Sequence, residues 1–466
     1  MNQITHHSTE DLLAAYDEAP LNLRYWTSYA ILTIGIALDY FDFFIVGFLI
    51  AVVGPRWHLT YGQSSIILLI GGVGGIVGAL VGGSLGDLWG RKTILVISSF
   101  ICAAAAGSIA LIPEGSWEIF AALRFVVGFA LGGTVTPFNT LLVECTPTRY
   151  RTIMSSLGIV FPSAGSLIAA LTSATLLGTL GWRGVAALGV APAVIGVLVI
   201  FLVPESVRWL VGRGRYVEAR TQVAKLRGVP AEELPLPTAV ATPPNARLAD
   251  LYTRPGVFWL TLIAWIGAST ADYAIQLWGP TMFSMLLRIS VREAAIYMVY
   301  LALFGITGKI GFAFLANWIG RRKSGMVHGY GIAVTLAAAA CLHSVVVAGF
   351  PIFVLLVIFS CLFVVGGIGN LAPYAVEAYG VKLGSRAAGL GQASNGIGRI
   401  AGPLSLALVA GTGNLLSPAA TAAAVFPTFL FLAGCGLAIG LVFTFLAPET
   451  HGVPIAQGDG EPARGT

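Results

Sequence analysis

Long apolar runs separated by short polar loops recur along the 466-residue chain, and none alternates with the two-residue period of a half-buried strand. Each run is about twenty residues or longer, enough as a helix to cross the hydrocarbon core of a bilayer. The pattern predicts twelve such helices, at about 29–53, 62–85, 93–112, 117–143, 152–177, 183–203, 257–284, 293–316, 325–348, 351–379, 388–411 and 422–446. Their unalternating length excludes a β-barrel. The expected fold class is an all-α polytopic membrane protein.

Composition supports this reading, because 56% of the residues are hydrophobic and 10% charged, against about 25% charged in soluble domains. A net charge of +5 suggests a polyanion partner in a soluble chain, but here the basic residues cluster in short loops and no nucleic acid is expected. One side holds Arg24, Arg91, Lys92, Arg149, Arg151, eight Arg and Lys from Arg208 to Arg254, Arg321 to Lys323, Lys382 and Arg386. The other holds Arg56, Arg183, Arg288 and Arg292. Under the positive-inside rule both termini face the cytoplasm, with the chain in the plasma membrane. Five cysteines without CxxC spacing argue against a disulfide framework or a zinc site. The acidic and His-bearing first 24 residues lack a signal peptide's layout, so the first span is expected to be retained.

The halves of the chain look related. "GSLGDLWGRK" (83–92) and "FLANWIGRRK" (314–323) occupy equivalent loops, with Gly90 and Gly320 separated by 230 positions. The same offset carries Asp42 to Asp272, and "VPES" (203–206) is echoed by "APET" (447–450). Two pseudo-symmetric six-helix bundles follow, 29–203 and 257–446, with tails 1–28 and 447–466 and a cytoplasmic linker 204–256. The linker begins with helix-forming "PESVRWLVGRGRYVEARTQVAKLRG" and continues as Pro-rich, flexible "VPAEELPLPTAVATPPN". Parallel repeats of this kind place a substrate site between the halves near mid-membrane.

These residues also carry a resemblance. "GDLWGRK" resembles the loop signature of the major facilitator superfamily, and "RFVVGFALGG" (124–133) resembles its span-four signature. "VECTPTRYR" (143–151) and "PESVRWLVGRGRYVEAR" (204–220) resemble elements of its sugar porters and organic-acid symporters. "DYFD" (39–42) is similar to the Asp-Gly-Phe/Tyr-Asp of aromatic acid:proton symporters, with Tyr40 in place of glycine. The resemblance implies a monomeric secondary transporter working by alternating access, with a small-molecule substrate, the bilayer as its surroundings, and no cofactor beyond a coupling proton.

An ionised side chain at the bilayer centre costs at least about 2.5–3.5 kcal/mol, so each intramembrane charge is a functional candidate. Asp39 and Asp42 lie one turn apart on one face of span one, and two such carboxylates among phenylalanines suit proton exchange. Arg124 in span four is the candidate partner of Asp42; the alternative is a purely structural ion pair. Arg399 and Lys309 have no cationic counterpart at the 230 offset, and fixed cations facing a cavity favour an anionic substrate. The alternatives are that Arg399 only pairs with Asp272 and that Lys309 snorkels. Asn139, Tyr273, Gln276, Asn370, Gln392 and Asn395 supply the amides and aromatic that a planar carboxylic acid requires. Asp87, Arg91 and Glu144 in one half, and Arg321, Arg322 and Glu377 in the other, resemble gating charge networks, the second lacking a carboxylate because Asn317 stands where Asp87 does.

The expected function is proton-coupled symport of a small organic anion, an aromatic or heteroaromatic carboxylate. A sugar or polyol porter of the same fold is the alternative, ahead of an exporter and a non-transporting receptor. A membrane enzyme is disfavoured, since His58, His328, His343 and His451 are too scattered to form a catalytic cluster.

Overall fold

The computed structural model of the chain describes residues 9–147, 149–150, 154, 157–158, 160–236, 248–347 and 349–450. Its helices are α1 (Thr9–Asp17), α2 (Leu23–Arg56), α3 (Tyr61–Trp89), α4 (Arg91–Ile109), α5 (Trp117–Glu144), α6 (Phe161–Ala187), α7 (Pro192–Leu202), α8 (Val207–Gly212) and α9 (Tyr216–Arg227). After the linker come α10 (Pro255–Leu287), α11 (Val291–Ile319), α12 (Arg321–Cys341), α13 (Ile352–Ala410) and α14 (Pro418–Phe445). A short antiparallel pair, β1 (Val346–Val347) and β2 (Phe350–Pro351), flanks Gly349. Helices dominate because a backbone N–H or C=O inside hydrocarbon must find its partner within its own segment.

Ten helical runs among the described residues are long and apolar enough to cross a membrane. Two further breaks bring this into line with twelve crossings. Gly181, at φ 64°, divides the run 161–202. In α13, 59 residues of straight helix would extend about 88 Å, yet a Cβ at Gly384 would lie 3.6 Å from the Val376 carbonyl oxygen. Eight residues of helix span about 12 Å, so the chain doubles back there, and α13 comprises two arms. The fifth span, expected from 152, begins as α6 at Phe161; most of 151–159 lies outside the described residues.

Packing divides the chain into two compact units that do not follow the sequence halves: 1–43, 73–165 and 183–244 form one, and 44–72, 166–182 and 245–466 the other. In the first unit Tyr25, Leu32 and Ile36 of α2 are buried with Leu95, Phe138, Leu141, Ile195 and Val199. The linker's first part is helical as its charge spacing suggested, and Leu12 and Tyr16 of α1 pack with Trp209, Leu210 and Val223 on α8 and α9. The Pro-rich stretch falls mostly on 237–247, outside the described residues.

Glycines set how closely the spans approach. A Cβ at Gly78 would sit 1.9 Å from the Phe129 carbonyl oxygen, and one at Gly132 2.0 Å from that of Gly75, so α3 and α5 touch backbone to backbone. Gly90 (φ 102°) and Gly320 (φ 90°) make the tight turns at equivalent loops of the two halves. In the second unit Gly308 on α11 meets Leu362 on α13, and Gly329 on α12 meets Gly440 on α14.

Gly132→Val is expected to destabilise the protein by about 1–3 kcal/mol through overpacking, lowering the melting temperature of the detergent-solubilised chain. Gly434→Ala, on a helix face with nothing within 4 Å of the new methyl, should leave melting unchanged or raise it.

Candidate functional site

In the first unit α2 and α5 bring Asp39, Asp42 and Arg124 together, each 3% exposed or less. Arg124 Nη1 donates to the Asp42 carbonyl oxygen at 3.1 Å and reaches its carboxylate at 3.5 Å, while Nη2 donates to the Phe43 carbonyl at 3.3 Å. The carboxylate contact is the longest of the three. Losing it on protonation of Asp42 would leave the guanidinium on two backbone acceptors, so the ion pair can open without stranding the cation. Asp39 has a different partner: Thr134 Oγ1 lies 2.7 Å from its carboxylate and donates to it. The acids thus share a helix face but not a partner. Space beside Asp42 is limited by the 3₁₀ turn 188–190, where a Cβ at Gly189 would fall 3.0 Å from the Asp42 carboxylate.

In the second unit α10 and the second arm of α13 hold Arg399. Its Nε donates to the Tyr273 hydroxyl at 2.9 Å and to the Asn395 carbonyl oxygen at 3.1 Å, and its guanidinium carbon lies 5.4 Å from the Tyr273 ring centre. Asn395 is anchored in turn by donating to Ser269 Oγ at 3.0 Å, and Phe44 stacks on Tyr273 at 6.0 Å. Asp272 on α10 lies under the charges of both Lys309 and Arg399.

Three expected substrate residues stand elsewhere. Asn370 is buried but accepts from Arg321 Nη1 at 2.7 Å, which places it in a charge network at the helix ends. Asn139 and Gln392 are exposed and make no hydrogen bond among the described residues, so they do not join the Arg399 cluster.

The loop networks form within each unit. Arg91 pairs with Asp87 at 2.9 Å and with Glu144 at 3.5 Å. Arg321 clamps Glu377 through two parallel bonds of 3.2 and 2.9 Å, whereas Arg322 donates to the Phe443 and Thr444 carbonyls at the end of α14. Two glutamates that the sequence reading did not assign complete these networks. Glu205 accepts from the Lys92 and Ser206 backbone N–H groups at 3.2 and 2.9 Å, and Glu449 accepts from those of Arg321 and Arg322 at 2.8 and 3.2 Å. Each carboxylate caps the helix that follows its half's Gly turn, and the matching "PES" and "PET" were the signal. Burial raises the Glu205 carboxyl above the usual range, against the opposing pull of the Ser206 and Lys92 amides and the Arg91 charge.

At the helix ends remote from these loops the second unit is closely packed. Tyr61 bonds Thr421 at 2.5 Å and tilts onto Trp278 at 5.7 Å, and Ser65 and Trp278 both donate to the Pro403 carbonyl, at 3.2 and 2.8 Å. A Cβ at Gly47 would lie 2.5 Å from the Leu277 carbonyl oxygen, and Arg292 donates to the Ala174 carbonyl at 2.9 Å. Residues 44–72 and 166–182 are thereby sealed onto α10, α11, α13 and α14.

Comparison with known proteins extends this picture. The family profile described as "Sugar (and other) transporter" matches residues 24–459. A niacin transporter from Acinetobacter baylyi is 29% identical over 410 residues, covering 84% of this chain and 89% of the relative. A gallate transporter from Pseudomonas putida is 30% identical over 319 residues, covering 66% of this chain and 68% of the relative. The partially occluded, inward-open structure of the xylose transporter from Escherichia coli superposes with a TM-score of 0.67 over 91% of this chain and 98% of that one, at 16% identity, a likeness of fold.

Gly47→Trp is expected to wedge the remote end open, because the side chain must enter space held by the Leu277 backbone. A membrane-impermeant maleimide should then label Ser65→Cys several-fold faster than in the Gly47 parent. Unchanged labelling would mean that this end is not held shut through Gly47.

Proposed function

This chain belongs to the Sugar (and other) transporter family, and we propose that it takes up a small aromatic or heteroaromatic carboxylate together with protons, by alternating access. It is a multi-pass membrane transporter of the major facilitator superfamily, not an enzyme. The observation that carries the substrate class is Arg399, held by Tyr273 and Asn395 beside the Phe44 and Tyr273 rings. A guanidinium can clamp a carboxylate bidentately, and flanking aromatic faces suit a flat ring. Relatives named for niacin and gallate, both ring-bearing carboxylates, support the same class.

Proton coupling rests on Asp42. Its pairing with Arg124 is a two-state element that a proton gradient can bias, since protonation removes one contact and deprotonation restores it. Asp39, bonded to Thr134, is a second acid on the same face and titrates with Asp42 as a pair. In the cycle we propose, Asp42 is protonated from outside, Arg399 holds the substrate carboxylate, and both are released inward. The sealed remote end supports assigning this conformation to the outward-closed part of the cycle, with the loop networks of Arg91 and Arg321 remade as the halves rock. Both termini lie in the cytoplasm, following the Lys and Arg distribution, in the plasma membrane. The working unit is one chain, and the proton is the only coupling species required.

Uptake of labelled nicotinate, benzoate and xylose into cells, with and without a protonophore, tests this reading. Accumulation of one of the two acids that the protonophore abolishes is expected, with no xylose uptake. Arg399→Lys, which cannot reproduce a bidentate clamp, should raise the KM for the acid by about tenfold or more, since a hydrogen bond to a charged group contributes about 1.5–3 kcal/mol. Uptake of xylose alone would instead establish the sugar-porter alternative.

A further inference from the structure

A cavity of about 420 Å³ lies in the first unit, where the ends of α2, α4 and α7 meet α1 and α9. Three cations border it: Arg24, Lys92 and Lys225. Arg24 Nη1 donates to the Lys225 carbonyl at 3.4 Å and Lys92 Nζ donates to the Ile200 carbonyl at 2.8 Å, but none of the three forms an ion pair among the described residues. A carbonyl satisfies a donor without neutralising its charge. One carboxylate, Glu205, also borders the cavity; it accepts from the Lys92 and Ser206 backbone N–H groups, and its charge, which acts on Lys92, offsets one of the three cations. The cavity therefore carries an excess of positive charge.

Its depth narrows the identity of the counterion. α2 begins at Leu23 and α7 ends at Leu202, so the cavity sits where apolar spans give way to the headgroup layer. Two of its own bordering residues are apolar and turned outward, with Leu23 82% and Phe201 78% exposed. Excess cations at headgroup depth beside apolar surface match a ligand with an anionic head and acyl tails.

We propose that this cavity seats the phosphate headgroup of an anionic phospholipid from the adjoining leaflet. The acyl chains lie along Leu23 and Phe201, and the phosphate stands between Arg24, Lys92 and Lys225. Occupation ties the ends of three spans to the linker helix α9, so the lipid stabilises this unit whatever the transporter carries.

The test is native mass spectrometry and thermal melting of the purified full chain in detergent, titrated with phosphatidylglycerol, phosphatidylcholine or inorganic phosphate. Phosphatidylglycerol is expected to bind and to raise the melting temperature, and the other two are not. Each charge beside an anionic headgroup contributes about 1 kcal/mol, so Arg24→Gln with Lys225→Gln should weaken phosphatidylglycerol binding about 25-fold. Should that double variant fail to fold, Lys225→Gln alone, at an exposed position, should weaken it about fivefold. The charge-matched Arg227→Gln with Arg386→Gln, outside the cavity, should retain wild-type binding. Equal binding of phosphatidylcholine, or full binding by the Lys225 variant, would overturn the proposal. The same thermal shift with inorganic phosphate alone would replace the lipid by a soluble anion.

Discussion

A guanidinium buried in an apolar helix bundle needs polar partners there, and the two terminal nitrogens of Arg124 find two backbone carbonyls and one carboxylate of α2, while its Nε has no hydrogen-bond partner among the described residues. Leaving such a cation unpaired would cost several kcal/mol, so these contacts fix which part of α5 faces Asp42. The close α3–α5 crossing through Gly78 and Gly132 then holds α5 in place from its other side. Thr134, farther along α5, is brought to Asp39 by the same placement. One buried charge therefore organises both acids and gives each a separate partner.

The second unit repeats the acid but changes the cation. Asp272 stands at the repeat position of Asp42, yet it lies under the charges of two cations, Lys309 from α11 and Arg399, the latter standing where span five has Ala169. Pseudo-symmetry thus repeats the acid, and the second unit sets two cations near it where the first sets one. Tyr273 and Asn395 hold Arg399 by its Nε, beside an aromatic stack. The proposed division of labour follows from this asymmetry: the paired acid of the first unit for the proton, the additional arginine of the second for the carboxylate.

Much of this was legible in the sequence because membrane physics makes long apolar runs helical and gives every intramembrane charge a reason to be there. The crossings, the Asp42 and Arg124 pairing and the Arg321 and Glu377 network could all be read in that way. What could not be read was the direction in which individual amides face. Asn370, one turn from the apolar middle of its arm, turns to Arg321, and only the course of α12 beside it decides that. Gln392 and Asn139 are likewise placed by neighbouring helices and not by their own spacing. Glu205 and Glu449 were visible as an echo between half-ends, but their capping role requires the Gly90 and Gly320 turns to fold back against them. The doubling back within α13 and the break at Gly181 lie in sequence that still permits helix, so composition alone leaves their positions open to a few residues.

The most direct test of the proton-coupling claim compares the wild type with Asp42→Asn in proteoliposomes, using a carboxylate that the wild type carries. Two quantities are measured: accumulation driven by an inward proton gradient, and counterflow exchange at equal pH on both sides. The variant is expected to lose gradient-driven accumulation while keeping exchange, since Arg124 retains its two backbone acceptors. A variant that still concentrates the carboxylate on a proton gradient would contradict the assignment of the coupling proton to Asp42.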